Sequence, residues 1–176
     1  CCHMAIERPR PGFSRLSTRK RIKSSHVFHK LYLHVNWHTK DDHPILQGQV
    51  EELTQSLLAE KAHNMKGVHL HSLGGTDTHI HLAIQIEPFV LISDLVQELK
   101  GASAHEVNKR LGYKALEWQR GYGVVSFGRK NLPWIMEYVQ RQREHHAAGR
   151  VHRRLESCAP EDSPVDRSEA QIEKPG

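Results

Sequence analysis

The order of strand-like and helix-like segments is the feature that most restricts the fold of this chain. Four segments have the alternating or short apolar pattern of β-strands, and they are 30–38, 67–73, 79–86 and 121–128. Three others repeat apolar residues every three to four positions, as amphipathic helices do, and they are 49–65, 94–111 and 133–146. The order β-α-β-β-α-β plus a further helix predicts an α+β fold of the ferredoxin-like type, an antiparallel sheet with helices on one face.

Local signals set several boundaries of these elements. The sequence GGTD between the second and third strands predicts a hairpin turn. Ser93 is the predicted N-cap of the helix from Asp94 to about Leu111. Asn131, with Pro133 in the first turn, predicts the start of the last helix. We expect the sheet face opposite the helices to remain free for a ligand or a partner.

Charge divides the chain into three predicted parts. Residues 1–24 form a basic arm whose first four residues, CCHM, are typical of a cloning remnant. Residues 25–150 form the predicted domain, and residues 151–176 form a polar, acidic tail. The formal net charge of +5 mildly favours a polyanionic partner. The arm itself has two open interpretations, a phosphate-binding segment or a solvated leader.

The composition predicts a protein of the cytoplasm. No segment approaches the roughly 18 consecutive apolar residues of a membrane helix, and no charged-then-apolar signal sequence opens the chain. Three cysteines do not make a disulfide framework. Such cysteine usage suits a reducing compartment.

The HIH triplet at 79–81 is a candidate metal site at the start of the third strand. Residues two apart on a strand project to the same side, so the two imidazoles can bind one cation. An HLH triplet at 69–71 lies on the preceding strand, and the hairpin could bring all four histidines together. Spacing alone does not choose between the triplets, or between a metal site and half-exposed polar residues on an open sheet face.

Tyr138 and Gln142 are a candidate pair on the last helix, because residues four apart share a helical face. Cutting a phosphodiester requires a nucleophile and a cation on the non-bridging oxygens. A phenol, with a pKa of about 10, needs a metal or a base nearby. A phosphotyrosyl link would conserve the bond energy for rejoining, which is the chemistry of a strand-transfer enzyme.

Three motifs, in this order, resemble a known family: HIHL at 79–82, WQRGYG at 118–123 and EYVQRQREHH at 137–146. Together they resemble the IS200-like single-tyrosine transposases of the HUH nuclease superfamily. The resemblance extends from about residue 25 to residue 146. It implies a metal-dependent enzyme that cleaves and rejoins transposon-end DNA through a covalent 5′-phosphotyrosine.

The resemblance also implies roles for individual residues. His79, His81 and Gln142 would hold a cation, Mg²⁺ or Mn²⁺, and Tyr138 would be the nucleophile. The implied partner is single-stranded or hairpin DNA. The implied assembly is a homodimer, often with active sites shared between the subunits.

Two positions depart from the family pattern and leave a second function open. Thr78 stands where an aspartate usually precedes the first histidine, and Arg141 stands where an asparagine usually precedes the glutamine. These differences allow a domesticated, transposase-derived DNA-binding protein with little or no cleavage activity.

Further residues are candidates for nucleic-acid contact or for other metal chemistry. The basic candidates for DNA contact are Lys40, Lys100, Arg120, Arg129 and Lys130, and the candidate stacking aromatics are Trp37, Trp118 and Tyr122. A third hypothesis is a histidine-rich metal-binding or sensing protein that uses His34, His38, His69 and His71. It gives Tyr138 and the WQRGYG motif no role.

Overall fold

The alternating segments build a four-stranded antiparallel sheet in the order β2-β3-β1-β4. The computed structural model describes residues 28–158, so the predicted arm at 1–24 and tail residues 159–176 lie outside the described part. The elements are β1 Leu31–His38, α1 Gly48–Asn64, β2 Val68–Gly75, β3 His79–Ile86, α2 Ile92–Leu111, β4 Gly123–Phe127, α3 Leu132–Gln140, α4 Gln142–Ala147 and α5 Arg153–Glu156. This topology confirms the predicted α+β, ferredoxin-like class.

One face of the sheet carries the main hydrophobic core. Alternate residues of β1, among them Leu33, Val35 and Trp37, are buried there against α1 and α2. Ile80 and Leu82 of β3 join them. Each such side chain contributes about 1.5–3 kcal/mol through burial. Trp37 is fully buried in this core, so the prediction that it stacks on nucleic-acid bases is wrong.

The second face of the sheet is covered, contrary to the prediction that it would be free. Ile135 and Val139 of α3 pack against Ala83 of β3, together with Leu155 from α5. At Gly74 of β2 a Cβ atom would lie 2.1 Å from the carbonyl oxygen of Val139. Only glycine allows this approach, and α3 therefore lies directly on the sheet backbone.

The predicted helix at 133–146 is two helices, with a break at Arg141. This residue has φ −103° and ψ 25°, outside the helical region. No proline or glycine stands at the break. The Gln142 side-chain amide donates to the carbonyl oxygen of Tyr138 at 3.3 Å, and a side chain bonded into the helical ladder is a known cause of kinks.

Residues 151–158, here called the C-terminal segment, pack against the domain although their composition resembles a tail. Leu155 is buried in the cluster under α3. The Cys158 thiol lies 3.4 Å from the carbonyl oxygen of Asn36 on β1. At Gly123 of β4 a Cβ atom would lie 2.1 Å from both the Asn36 side-chain oxygen and the Ser157 carbonyl oxygen. The segment therefore depends on a glycine at the edge of the sheet.

The remaining boundaries agree with the sequence patterns except at α2. The hairpin between β2 and β3 forms as predicted, but it turns at residues 76–78, because Gly74 and Gly75 of the GGTD sequence belong to β2. Ser93 does not cap α2, because the helix begins at Ile92 and the Ser93 hydroxyl donates to Asp94 at 3.4 Å. Among the helices within residues 28–158, none has the length and apolar character needed to cross a membrane.

Replacing Gly123 with alanine should loosen the C-terminal segment. The added methyl group meets two oxygens, and overpacking of this kind costs about 1–3 kcal/mol of unfolding free energy. Gly101→Ala is the matched control, because this helical position has no atoms within 4 Å and the change should stabilise α2 by up to about 1 kcal/mol. Urea denaturation measures the free energy of unfolding of both variants. A Gly123→Ala protein as stable as wild type would contradict the packing described.

Candidate active site

His79 and His81 project from β3 into the space between the sheet and α3. Their rings lie 4.9 Å apart, centroid to centroid. The exposed fraction is 3% for His79 and zero for His81. The intervening Ile80 points into the main core, so the strand period turns both imidazoles to one side as the sequence indicates.

Hydrogen bonds hold one nitrogen of each imidazole and leave the other free. The His79 Nδ1 atom lies 3.0 Å from the Thr76 hydroxyl and 2.9 Å from the Thr78 hydroxyl. The His81 Nδ1 atom lies 2.8 Å from Nε2 of His34. Both Nε2 atoms are buried without a hydrogen-bond partner. Metal-binding histidines are typically held in this way through the second nitrogen. Thr78, which departs from the family pattern, therefore supplies a partner to the first histidine.

Burial keeps these imidazoles neutral. It lowers the pKa of His79 to about 3, with a further contribution from His81. It likewise lowers the pKa of His34 to about 3, again assisted by His81. The pKa of His81 is also lowered, chiefly by burial. Neutral imidazole is the form that binds metal ions, so the pair is in a binding-competent state at neutral pH.

Tyr138 lies beside the histidine pair of its own chain. Its ring centroid is 6.3 Å from that of His81. The phenol is stacked between Trp134, at 5.7 Å, and His145, at 4.9 Å. Its hydroxyl donates to a carboxylate oxygen of Glu156 and accepts the His152 backbone N–H at 3.0 Å. Burial, followed by the Glu156 hydrogen bond, raises the pKa of Tyr138 to about 12.

Gln142 opens α4, one turn beyond Tyr138. The residue is fully buried, and its side-chain nitrogen is bonded to the Tyr138 carbonyl. Its side-chain oxygen is buried without a hydrogen-bond partner. An amide oxygen in this state is a suitable ligand for a hard divalent cation.

Glu156 and His146 are two site residues that the sequence patterns did not single out. One carboxylate oxygen of Glu156, Oε2, lies 3.5 Å from Nε2 of His79 and 3.4 Å from Nε2 of His81. It also lies 3.4 Å from Nε2 of His146. The ligand atoms of His79, His146 and Glu156 all fall within 4.8 Å of one another. The charged Glu156 side chain thus lies at the centre of the predicted metal site.

The other histidines do not form the clusters considered for them. His69 pairs with Gln85, whereas His81 pairs with Gly74. The two triplets are thus at opposite ends of the hairpin, and the expected four-histidine cluster is wrong.

The four histidines of the metal-sensor hypothesis do not lie together in one site. His34 is bonded to His81, and His38 stacks on His79 at 4.9 Å. His69 and His71 contact each other instead. Within residues 28–158, the cluster of possible metal ligands contains none of these four histidines.

The basic residues proposed to contact DNA occupy different environments. The Lys100 ammonium donates to the carbonyl oxygens of Gln119 and Gly121, at 2.6 and 2.8 Å, and ties α2 to the loop before β4. Lys40 forms an exposed salt bridge with Glu117 at 3.0 Å. Three others are exposed: Arg120, Arg129 and Lys130. Their contact with DNA remains a prediction.

The fold and the site together define a class, a ferredoxin-like domain with a buried histidine pair next to a tyrosine-bearing helix. Residues 27–142 match the family model described as "Transposase IS200 like", and the chain belongs to this family. It is 25% identical over 124 residues to the ISDra2 transposase TnpA of Deinococcus radiodurans, an alignment covering 66% of this chain and 86% of that protein. A crystal structure of a D. radiodurans protein provisionally described as a transposase has 26% identity and a TM-score of 0.54, covering 68% of this chain and 96% of the other.

Acid should destabilise the metal-free protein before its carboxylates titrate. The pKa of both His34 and His79 falls from an ordinary 6.5 to about 3 in the fold. The unfolded chain therefore takes up two protons below pH 6.5 that the native state does not bind. Stability is complete above pH 6.5 and should fall towards pH 5, with a limiting slope of about 1.4 kcal/mol per pH unit for each histidine.

Urea denaturation in EDTA at pH 7, 6 and 5 measures this dependence. His34→Gln should reduce the slope, whereas His63→Asn, at an exposed position on α1, should leave it unchanged. Stability that is flat across this range would show that the buried imidazoles titrate normally.

Proposed function

We propose that this transposase is a metal-dependent single-strand DNA endonuclease and strand-transfer enzyme. It would cleave and rejoin transposon-end DNA through a covalent 5′-phosphotyrosine at Tyr138. The observation that carries the proposal is the meeting of three groups at Glu156. The Tyr138 hydroxyl contacts one carboxylate oxygen, and the His79 and His81 nitrogens surround the other, at 3.5 and 3.4 Å.

In this proposal His79, His81 and Gln142 hold a divalent cation, Mg²⁺ or Mn²⁺. The unpartnered imidazole nitrogens and the unpartnered amide oxygen fit this role. When bound, the cation would neutralise charge on the non-bridging phosphate oxygens. Buried lone pairs without partners cost stability in the absence of a ligand, which also supports the assignment.

Tyr138 would attack the phosphorus atom of the scissile phosphate. The bond from phosphorus to the 3′ oxygen breaks, which leaves a free 3′-OH on one strand end and a 5′-phosphotyrosine on the other. Because the pKa of Tyr138 is raised to about 12, the hydroxyl needs a nearby proton acceptor. The Glu156 carboxylate already accepts its hydrogen bond. Although burial alone would raise it, the pKa of Glu156 is lowered by His81 and Tyr138, so this carboxylate would pass the proton on to the leaving 3′ oxygen, which becomes the 3′-OH.

A cleft next to Tyr138 suits an anionic strand. Its volume is about 510 Å³, and its lining includes Trp134, Arg150 and Arg141, the last of which forms salt bridges with Glu137 and Glu144. Trp134 is 49% exposed, which leaves part of its ring available for stacking. Arginines and an aromatic face are the usual elements of single-strand binding. The proposed partner is accordingly single-stranded or hairpin DNA.

The proposed assembly is a homodimer, but each of its active sites can form within one subunit. Tyr138 and its histidine pair already meet within one chain, bridged by Glu156. A partner subunit is therefore not required to supply the nucleophile. Subunits that share sites would have to exchange α3 between them.

Tyr138→Phe should abolish a covalent protein–DNA adduct. The substrate is a pool of 3′-end-labelled single strands containing hairpins, incubated with Mn²⁺, because the 3′ fragment would stay attached to the tyrosine. Labelled protein on a denaturing gel measures the adduct. Tyr113→Phe is the matched control, since Tyr113 is 61% exposed and its loss should leave the adduct unchanged. An equal adduct in wild type and Tyr138→Phe would remove Tyr138 from the mechanism.

A second candidate function is a DNA-binding protein with little cleavage. The Tyr138 side chain favours it, because the residue is only 3% exposed and its hydroxyl is engaged by Glu156 and by the His152 N–H. In that case wild type would form no adduct with any divalent metal. Salt-dependent binding to the same strands would persist in Tyr138→Phe.

A further inference from the structure

The distances from Glu156 to the imidazoles are longer than those of typical hydrogen bonds, although His81 and Glu156 still shift each other's pKa. Its Oε2 atom is 3.4–3.5 Å from the Nε2 atoms of His79, His81 and His146. Hydrogen bonds between such groups are about 2.7–3.2 Å long. The Nε2 atoms of His79 and His81 remain without partners, although both residues are at least nine-tenths buried. The carboxylate is therefore close to the imidazoles without satisfying them.

The same spacing suits ligands that share one cation. Nitrogen and oxygen ligands bind such ions at about 2.1 Å. Adjacent ligand atoms then lie about 3.0 Å apart in an octahedron and about 3.4 Å apart in a tetrahedron. The distances from Glu156 Oε2 are at the upper end of this range. The ligand atoms of His79, His146 and Glu156 form one compact group, whereas His81 approaches it through Glu156 alone, at 3.4 Å.

We propose that His146 and Glu156 are further ligands of the cation held by His79 and His81. The inference rests on the proposed function, because it concerns the same ion. It adds one imidazole and one carboxylate to the donor set. Each added nitrogen moves the preference away from Mg²⁺ and towards transition metals such as Mn²⁺ or Zn²⁺.

Each new ligand comes from a part of the chain that the fold holds in place. His146 belongs to α4, and its ring lies 4.8 Å from that of His79. Glu156 ends α5, whose neighbouring Leu155 is buried under α3. The second oxygen of Glu156 accepts the Tyr138 hydrogen bond. The carboxylate would thus connect the cation directly to the nucleophile.

The test is the affinity of the metal-free full chain for Mn²⁺, measured from the EPR signal of the free ion. Glu156→Gln keeps the size of the side chain and should weaken Mn²⁺ binding by more than about 100-fold, because a 10- to 100-fold loss is typical of residues that only support a ligand. Glu144→Gln, the same change at an exposed position of α4, should bind as wild type. The affinity of Glu156→Asp for Mn²⁺ should lie between those of Glu156→Gln and wild type.

His146→Asn tests the second ligand independently, with His63→Asn as its control. His146 is exposed, so its removal should weaken Mn²⁺ binding without unfolding the domain, which near-UV circular dichroism checks. Equal affinity in wild type, Glu156→Gln and His146→Asn would overturn the proposal. Tighter binding by Glu156→Gln would also overturn it, because the carboxylate would then be competing with the ion.

These outcomes are distinct from failure of the proposed function. If wild type binds Mn²⁺, His79→Ala does not, and the Glu156 and His146 variants bind as wild type, the added ligands are wrong and the His79–His81 site stands. If wild type binds no Mn²⁺, the metal-dependent function fails together with this inference.

Discussion

The contact between α3 and the sheet backbone is the interaction on which the site depends. Gly74 lets the helix approach until its Val139 carbonyl lies where a side chain would otherwise begin. Ile135 and Val139 then bury their side chains against Ala83, a small residue on the central strand. This packing turns Tyr138 inward. Without it, a sheet carrying paired histidines would face solvent with no tyrosine beside it.

The polar groups beneath α3 are costly to bury. His34, His79 and His81 are all nearly inaccessible to solvent, and each has one ring nitrogen without a partner. An unsatisfied buried polar atom costs about 1–3 kcal/mol. The apolar cluster around Leu155 and α3 offsets part of this cost. This burial supports the proposed metal site, because a fold shaped only by stability would not maintain such groups together.

The periodicity of the sequence was sufficient for the fold and for the direction of the histidine pair. A two-residue period determines which side chains share a face, so the common direction of His79 and His81 follows from the strand pattern, whereas their choice over the 69–71 triplet rests on the family resemblance. Strand register does not follow from periodicity. The register of β2 against β3 places the 69–71 triplet far from the 79–81 triplet, and this register is known only from the folded hairpin. The helix break at Arg141 could not be predicted from the sequence either, because the residues around it have a helical pattern. The break coincides with a hydrogen bond from the Gln142 side chain to the helix backbone.

The role of Glu156 could not be predicted from sequence patterns, for a different reason. The C-terminal segment is short and polar, and Leu155 is its buried hydrophobic residue. One leucine between charged residues gives no usable periodicity. The segment docks because of Gly123 and the cluster under α3, which are features of the tertiary structure. Only the folded chain brings this carboxylate next to Tyr138.

The family match ends at Gln142, whereas His146 and Glu156 come after it in the chain. Two proteins can therefore match the family model equally well and still differ in the proposed metal ligands. A premature stop codon after position 150 would leave the matched residues intact and delete the carboxylate. Membership of the family, decided within residues 27–142, therefore says nothing about whether a chain carries the two further ligands proposed for this one.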